Sequence, residues 1–226
     1  MGRITKDFDL LLLAIFCVLL AIGRIFLGTP EEASQGLVQK IFYIHVPSAI
    51  TMYVGYFVGL VASIFYLVEK KSSWDRLAHC AIEVAYVFTV IVLCTGPLWA
   101  KPIWGTYWTW EPRLTSTLLL WFMYSAYLLI RKASKGEASG TKASAIVAII
   151  AFANVPLVHL SVRLWRGIHP SVLANDNGLP DSMKATLLIS FSAMLVLFAA
   201  LLRLRLRVEK MSHTLQLQSM HSRGDQ

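Results

Sequence analysis

Three histidines stand where imidazole nitrogen could reach a metal from the ends of apolar segments: His45 in YIHVPS, His159 in LVHLS and His169 in GIHPS. Neutral imidazole offers one lone pair to a metal and one N–H to a neighbour. Between them in the chain lies Trp104–Glu111, WGTYWTWE, framed by Pro102 and Pro112, with four aromatics in eight residues. Trp and Tyr favour the membrane–water interface, where an apolar ring and a polar N–H or O–H are both satisfied. Packed together, they make a flat apolar platform suited to a large planar ligand, or else a lipid-anchoring belt. Gly105 permits a turn or close backbone approach, which an anchor does not need. Glu111 precedes the first turn of the next apolar segment and is placed to cap it. Arg113, Arg163 and Arg166 add guanidinium groups that pair with carboxylates, or with lipid phosphates. If the fifth apolar segment stays helical past His159, then His159, Arg163 and Arg166 lie near one stripe. Taken alone, each histidine is equally an interfacial side chain bonded to water or backbone.

The elements that must position these groups are membrane helices. Of the 226 residues, 56% are hydrophobic, and the mean hydropathy is +0.59. Six runs are long enough to cross a bilayer, at about 8–27, 46–68, 78–99, 113–130, 143–162 and 184–202. The expected fold is an all-α integral membrane protein, one six-span domain over 1–226 with a basic tail at 203–226. The first run is read as an uncleaved span, because it is long for a signal core and lacks a clear small-x-small site. Fourteen of the 21 Lys and Arg fall on the side of the N-terminus. By the positive-inside rule both termini are cytoplasmic, and the Trp-rich loop, the 28–45 loop and the 163–183 loop face outward. In the first outward loop, Leu37, Val38, Ile41, Phe42 and His45 recur at helical spacing. They predict a short interfacial amphipathic helix ending near His45. Pro47 fits the first turn of the span that follows. Pro156 kinks span five.

Several function classes drop out. The net charge of +8 is spread over loops, with no soluble basic element for nucleic acid. Cys17, Cys80 and Cys94 form neither CxxC nor CxxCH, which argues against a thiol–disulfide carrier and against covalent c-type haem. No GxxxxGK[ST] is present. What remains is a set delivered to one membrane face: histidines on separate loops, an aromatic shelf and arginines. Haem needs this set, with imidazole for iron, a flat apolar surface for the porphyrin and cations for the propionates.

WGTYWTWEPRLTS resembles the Trp-rich "WWD" signature of the haem-handling membrane proteins of cytochrome c biogenesis, the CcmC/CcmF/CcsA superfamily. YIHVPSAI and NVPLVHLSVRLWRGIHP, with the length and six spans, resemble the CcmC branch over about residues 8–207. The resemblance implies a non-enzymatic factor in the bacterial inner membrane that holds haem b transiently and non-covalently on the periplasmic face. It implies presentation of that haem to the chaperone CcmE, beside the ABC-type subunits CcmA and CcmB and the small protein CcmD. Carried over by position, His45 and His169 are the axial ligands, with His159 secondary. Trp99, Trp104, Trp108 and Trp110 are the motif tryptophans, and with Tyr107 and Glu111 they complete the haem platform. Arg113, Arg163 and Arg166 are propionate contacts. The motif's usual Asp is Glu111 here, one methylene longer. Pro112 is more typical of the larger CcsA-like branch, whereas Arg113, Leu114, Thr115 and Ser116 look like CcmC. Two other readings stay open. A b-type electron-transfer subunit would bury its haem between facing spans, yet His79, near the cytoplasmic end of span three, has no obvious partner. A haem permease would carry ionisable groups or broken helices at mid-membrane.

Overall fold

The computed structural model describes residues 2–134, 137–164 and 179–224. Among them every regular element is helical, and six helical stretches are long and apolar enough to cross a membrane. Without water in the hydrocarbon layer, each stretch must satisfy its own backbone, and a helix does so internally. Helix α1 spans Gly2–Gly23 and passes into a π-helical turn at Arg24–Gly28; a 3-10 turn at Leu37–Ile41 leads into α2, Phe42–Glu69. Helix α3 is Ser72–Trp104, α4 Pro112–Ala133, α5 Ala138–Phe152, α6 Asn154–Leu164 and α7 Asp181–Gly224.

The boundaries follow local chemistry. At the end of α2, Lys70 adopts φ 56° and its N–H bonds the Tyr66 carbonyl, so only Lys70 and Lys71 separate α2 from α3. The Glu69 carboxylate closes that hairpin by accepting from Lys71 Nζ at 2.7 Å and Trp74 Nε1 at 3.1 Å. Helix α3 stops at Gly105, whose φ of 75° suits a residue without Cβ. The expected kink in span five is a break at Ala153 between α5 and α6. It falls one turn before Pro156, which has no N–H to donate back to Phe152.

One sequence expectation needs correcting. The 37–45 segment is not an interfacial helix ending at His45. It is one 3-10 turn that runs straight into α2, with Gln39 and Lys40 buried. The Lys40 Nζ bonds the Phe26 carbonyl at 3.1 Å and lies over the Phe26 ring, so the turn is pinned inward by α1's extension. His45 therefore opens a helix, and Pro47 sits inside α2 beyond its first turn. Over the basic stretch after the sixth span, α7 continues helical to Gly224. Its arginines are tied back: Arg203 and Arg207 to Asp7 of α1, and Arg205 to Glu83 of α3 at 2.6 Å and to Glu209 at 2.9 Å. His79 Nε2 lies 3.4 Å from the Glu83 carboxylate, a contact set by their i,i+4 spacing on α3.

Packing centres on α2. It lies along α3 and also touches α5 and α7; α1 rests on α7, and α4 on α5 and α6. Small residues permit the closest approach. A Cβ at Gly55 would fall 2.7 Å from Phe198 and 2.8 Å from the Ala85 Cβ, and one at Gly59 would fall 2.5 Å from Ile82. One polar pair in the core joins α2 to α3. The Tyr56 hydroxyl meets Thr89 Oγ1 at 2.6 Å, and its ring stacks on Tyr124 at 3.6 Å. At the basic end, Arg131 of α4 grips Asp75 of α3 with both terminal nitrogens. Gly59→Leu should force α2 and α3 apart, at a cost of about 1–3 kcal/mol for overpacking. A lower melting temperature of the detergent-solubilised protein is the expected reading; Leu at exposed Val54 should leave it unchanged.

Candidate functional site

The end of the molecule opposite the basic cluster gathers the starts of α2 and α4, the end of α3 and the π-helical turn. Ile25, Phe42, Tyr43, Trp99, Met183 and Leu187 form a buried apolar cluster there. Thr29 and Thr186 share a hydrogen bond of 2.8 Å that ties the π-helical turn to α7. Asn154 donates to the Ser116 carbonyl at 2.8 Å, joining α6 to α4.

His45 lies half-buried in the first turn of α2, facing α3. Its Nδ1 is 2.9 Å from Thr95 Oγ1, and its ring meets Trp99 edge-on with centroids 5.9 Å apart. Gly96 lets the ring lie against the helix, since a Cβ there would stand 3.3 Å from His45 Cε1. Trp99 follows Gly96 by three residues and Thr95 by four, so both stand one turn from it on the side of α3 that meets His45. Trp99 is itself fixed. Its ring packs on Phe42, and its Nε1 donates to Gln35 Oε1 at 3.0 Å. Gln35 is held by the preceding loop, where the Glu32 carboxylate accepts from the Ser34 hydroxyl at 2.6 Å and from the Gln35 N–H at 2.6 Å. The Ser34 hydroxyl, with the two backbone N–H groups, holds the Glu32 carboxyl below the usual carboxylate range. Arg113, the second residue of α4, is half-buried at the same end of the molecule.

The aromatic run does not form one helical face. Trp104 is the last residue of α3, and 105–111 turn away from the helix to reach Pro112. Lys101 Nζ secures the turn by donating to the Gly105 carbonyl at 2.8 Å while lying over the Tyr107 ring. Thr106 Oγ1 bonds the Trp108 carbonyl. Tyr107 and Trp110 are open, at 56% and 76% exposure; Trp104 and Trp108 are half-buried. Trp108 and Trp110 meet edge to face at 5.9 Å, and the buried Trp108 Nε1 has no hydrogen-bond partner among the described residues. Trp99 is set apart from this shelf, in the floor behind His45. Glu111 occupies the N-cap position of α4 in extended conformation, without a side-chain cap hydrogen bond.

The structure thus brings together His45 and Trp99, with Trp104, Tyr107, Trp108, Trp110 and Glu111 on the stretch that runs from the end of α3 to Arg113 at the start of α4. His159 is exposed on α6, and among the described residues no hydrogen bond or ring contact joins it to His45. Arg166 and His169 lie outside the described residues. The backbone of Arg163 continues α6, so the helix does run past His159. Sequence reading missed Thr95, Gly96 and Gln35. The signal for the first two was a Thr-Gly pair within an apolar run, one turn before a Trp. Gln35 carried none, because its partner is remote in sequence.

Among the described residues no three His, Cys, Asp or Glu groups gather to hold a bare ion. Among the described residues the arrangement is one fixed imidazole beside aromatic surface, with a guanidinium at the start of α4, at one end of a six-span membrane protein. That defines a polytopic membrane protein whose site suits a planar, carboxylate-bearing metal complex. Comparison with known proteins is consistent with this class. The family model "CcmC: Heme exporter protein C" matches residues 2–221. Heme exporter protein C of Bradyrhizobium diazoefficiens is 34% identical over 187 residues, covering 81% of this chain and 70% of its own. That of Escherichia coli K12 is 33% identical over 193 residues, covering 84% and 78%. A ccmC-like mitochondrial protein of cytochrome c biosynthesis from Marchantia polymorpha is 33% identical over 157 residues, covering 68% and 66%. The chain belongs to the CcmC, or heme exporter protein C, family, a family of haem-handling membrane proteins of cytochrome c biogenesis.

Replacing Gln35 with Leu should strand the buried Trp99 N–H, a loss of about 1–3 kcal/mol. A depressed melting temperature with an altered Trp emission spectrum is the expected signature, and Gln35→Glu, which keeps an acceptor, should recover most of it.

Proposed function

We propose that this protein holds haem b, transiently and non-covalently, at the outer face of the bacterial inner membrane and presents it to the haem chaperone CcmE. CcmA, CcmB and CcmD are the companions that this reading implies. The haem is cargo, and the chain's own contribution is to hold and orient it. The observation that carries the reading is His45: an imidazole at a helix start, its Nδ1 engaged by Thr95, its ring backed by Trp99. Haem iron is commonly held by histidine. His169, on the last outward loop, is the second ligand in this reading, with His159 held in reserve.

The residues fit the cargo chemically. Tyr107 and Trp110 offer exposed aromatic faces at the end of the molecule where His45 lies. Arg113, at the start of α4, is the propionate contact in this reading; Arg163 and Arg166 are further candidates. Glu111 stands two residues before Arg113 at the N-cap position of α4, and in this reading its carboxylate steers that guanidinium. Open placement of the aromatic turn leaves the porphyrin edge reachable by a partner, whose own histidine forms the covalent bond. Electron transfer by buried haem would ask for facing histidines within the spans. His79 instead bonds Glu83 at the basic end.

In cells carrying the full set of biogenesis partners, His45→Ala and His169→Ala should each reduce haem-loaded CcmE at least tenfold, read by haem stain of the chaperone. Trp110→Ala should have an intermediate effect. Wild-type loading in both histidine variants contradicts the ligand assignment.

A further inference from the structure

Thr95 has one hydroxyl proton and two lone pairs to distribute. Its Oγ1 lies 2.7 Å from the Ile91 carbonyl, one turn back on α3, and 3.4 Å from the Val92 carbonyl. The remaining neighbour is His45 Nδ1 at 2.9 Å. Carbonyl oxygens only accept, so the hydroxyl proton is drawn into the helix toward Ile91, as Thr hydroxyls in helices commonly are. Oγ1 then faces His45 with a lone pair, and the proton on that hydrogen bond comes from the imidazole. A neutral imidazole with its proton on Nδ1 carries its free lone pair on Nε2.

We infer that Thr95 is a positioning residue that fixes His45 in the Nδ1–H tautomer and so makes Nε2 the atom that ligates iron. The inference rests on the reading of His45 as a haem ligand and adds how this chain prepares it. Three parts of one face of α3 act together. Thr95 selects the nitrogen, Gly96 gives the ring room to lie against the helix, and Trp99 backs it at 5.9 Å between centroids. Among the described residues nothing bonds Nε2. A ligating histidine whose other nitrogen donates to an acceptor is oriented in advance and becomes a better donor to the metal. The cargo can then bind and leave without the ring having to rotate or exchange its proton. Thr95 would also suit a purely structural role, packing one turn of α3, but such a role would not set a tautomer.

The test uses the full chain in lipid nanodiscs, with 15N in the imidazole rings and the His45 signals identified by their loss in His45→Gln. In the haem-free wild type and in Thr95→Ser, His45 should show a protonated Nδ1 and an unprotonated Nε2. Thr95→Val should show a mixture or the opposite tautomer. With haem added, Thr95→Val should retain it about 10–100-fold more weakly and with a raised midpoint potential, because the imidazole donates less to iron; Thr95→Ser should match wild type. A protonated Nε2 in the wild type, which no variant is needed to see, overturns the inference. So does a Thr95→Val protein identical to wild type in tautomer, retention and potential. A wild type with Nδ1–H His45 that takes up no haem upholds the tautomer and overturns ligation by His45.

Discussion

The site depends on how closely α2 lies on α3. The two helices leave a two-residue turn at Lys70 and Lys71 and stay together over their length, with Gly55 and Gly59 providing the room. In a bilayer, apolar surface gains little from meeting other apolar surface, so close van der Waals fit and cross-helix hydrogen bonds have to hold the pair. Tyr56 to Thr89 serves in the middle of the pair, and His45 to Thr95 at its far end. A half-turn slip of one helix would separate His45 from Thr95, Gly96 and Trp99 together. The remaining elements brace this pair: α7 packs against both helices, and α4 brings Arg113 to the open end.

The two ends of the molecule divide the polar work. At the basic end, carboxylates and guanidinium groups neutralise one another, with Asp75 on Arg131, Glu83 on Arg205, and Asp7 on Arg203 and Arg207. These pairs fasten α1, α3, α4 and α7 where α7 leaves the apolar region. At the other end the bonds are mostly neutral, through Thr29, Thr186, Gln35, Trp99 and Asn154. Arg113 starts α4 at that end. A frame held mainly by neutral hydrogen bonds, with the His45 imidazole at a helix start, suits a ligand that brings its own metal and carboxylates.

Six spans could be read from apolar run length, because the bilayer imposes length and composition directly. The Pro156 break and the Gly105 stop were also legible, since proline and glycine act through their own backbones. The 37–45 stretch misled because its period of apolar residues is the same for an interfacial helix and for a turn entering a span. Burial of Lys40 against the Phe26 carbonyl decided between them, and that contact joins residues 14 apart. His45, the tryptophans and Arg113 stood out by residue type. Thr95, Gly96 and Gln35 did not, because their roles come from helix packing and a loop contact, and an ordinary Thr or Gly in a span announces neither.

The central claim is that His45 binds haem iron at this site. Its most direct test is the optical spectrum of the purified protein beside His45→Ala, with and without added imidazole. The account predicts a low-spin Soret band in the wild type, its loss in His45→Ala, and its return when imidazole fills the space left against Thr95. An unchanged band in His45→Ala, or wild-type protein that never carries haem, contradicts it.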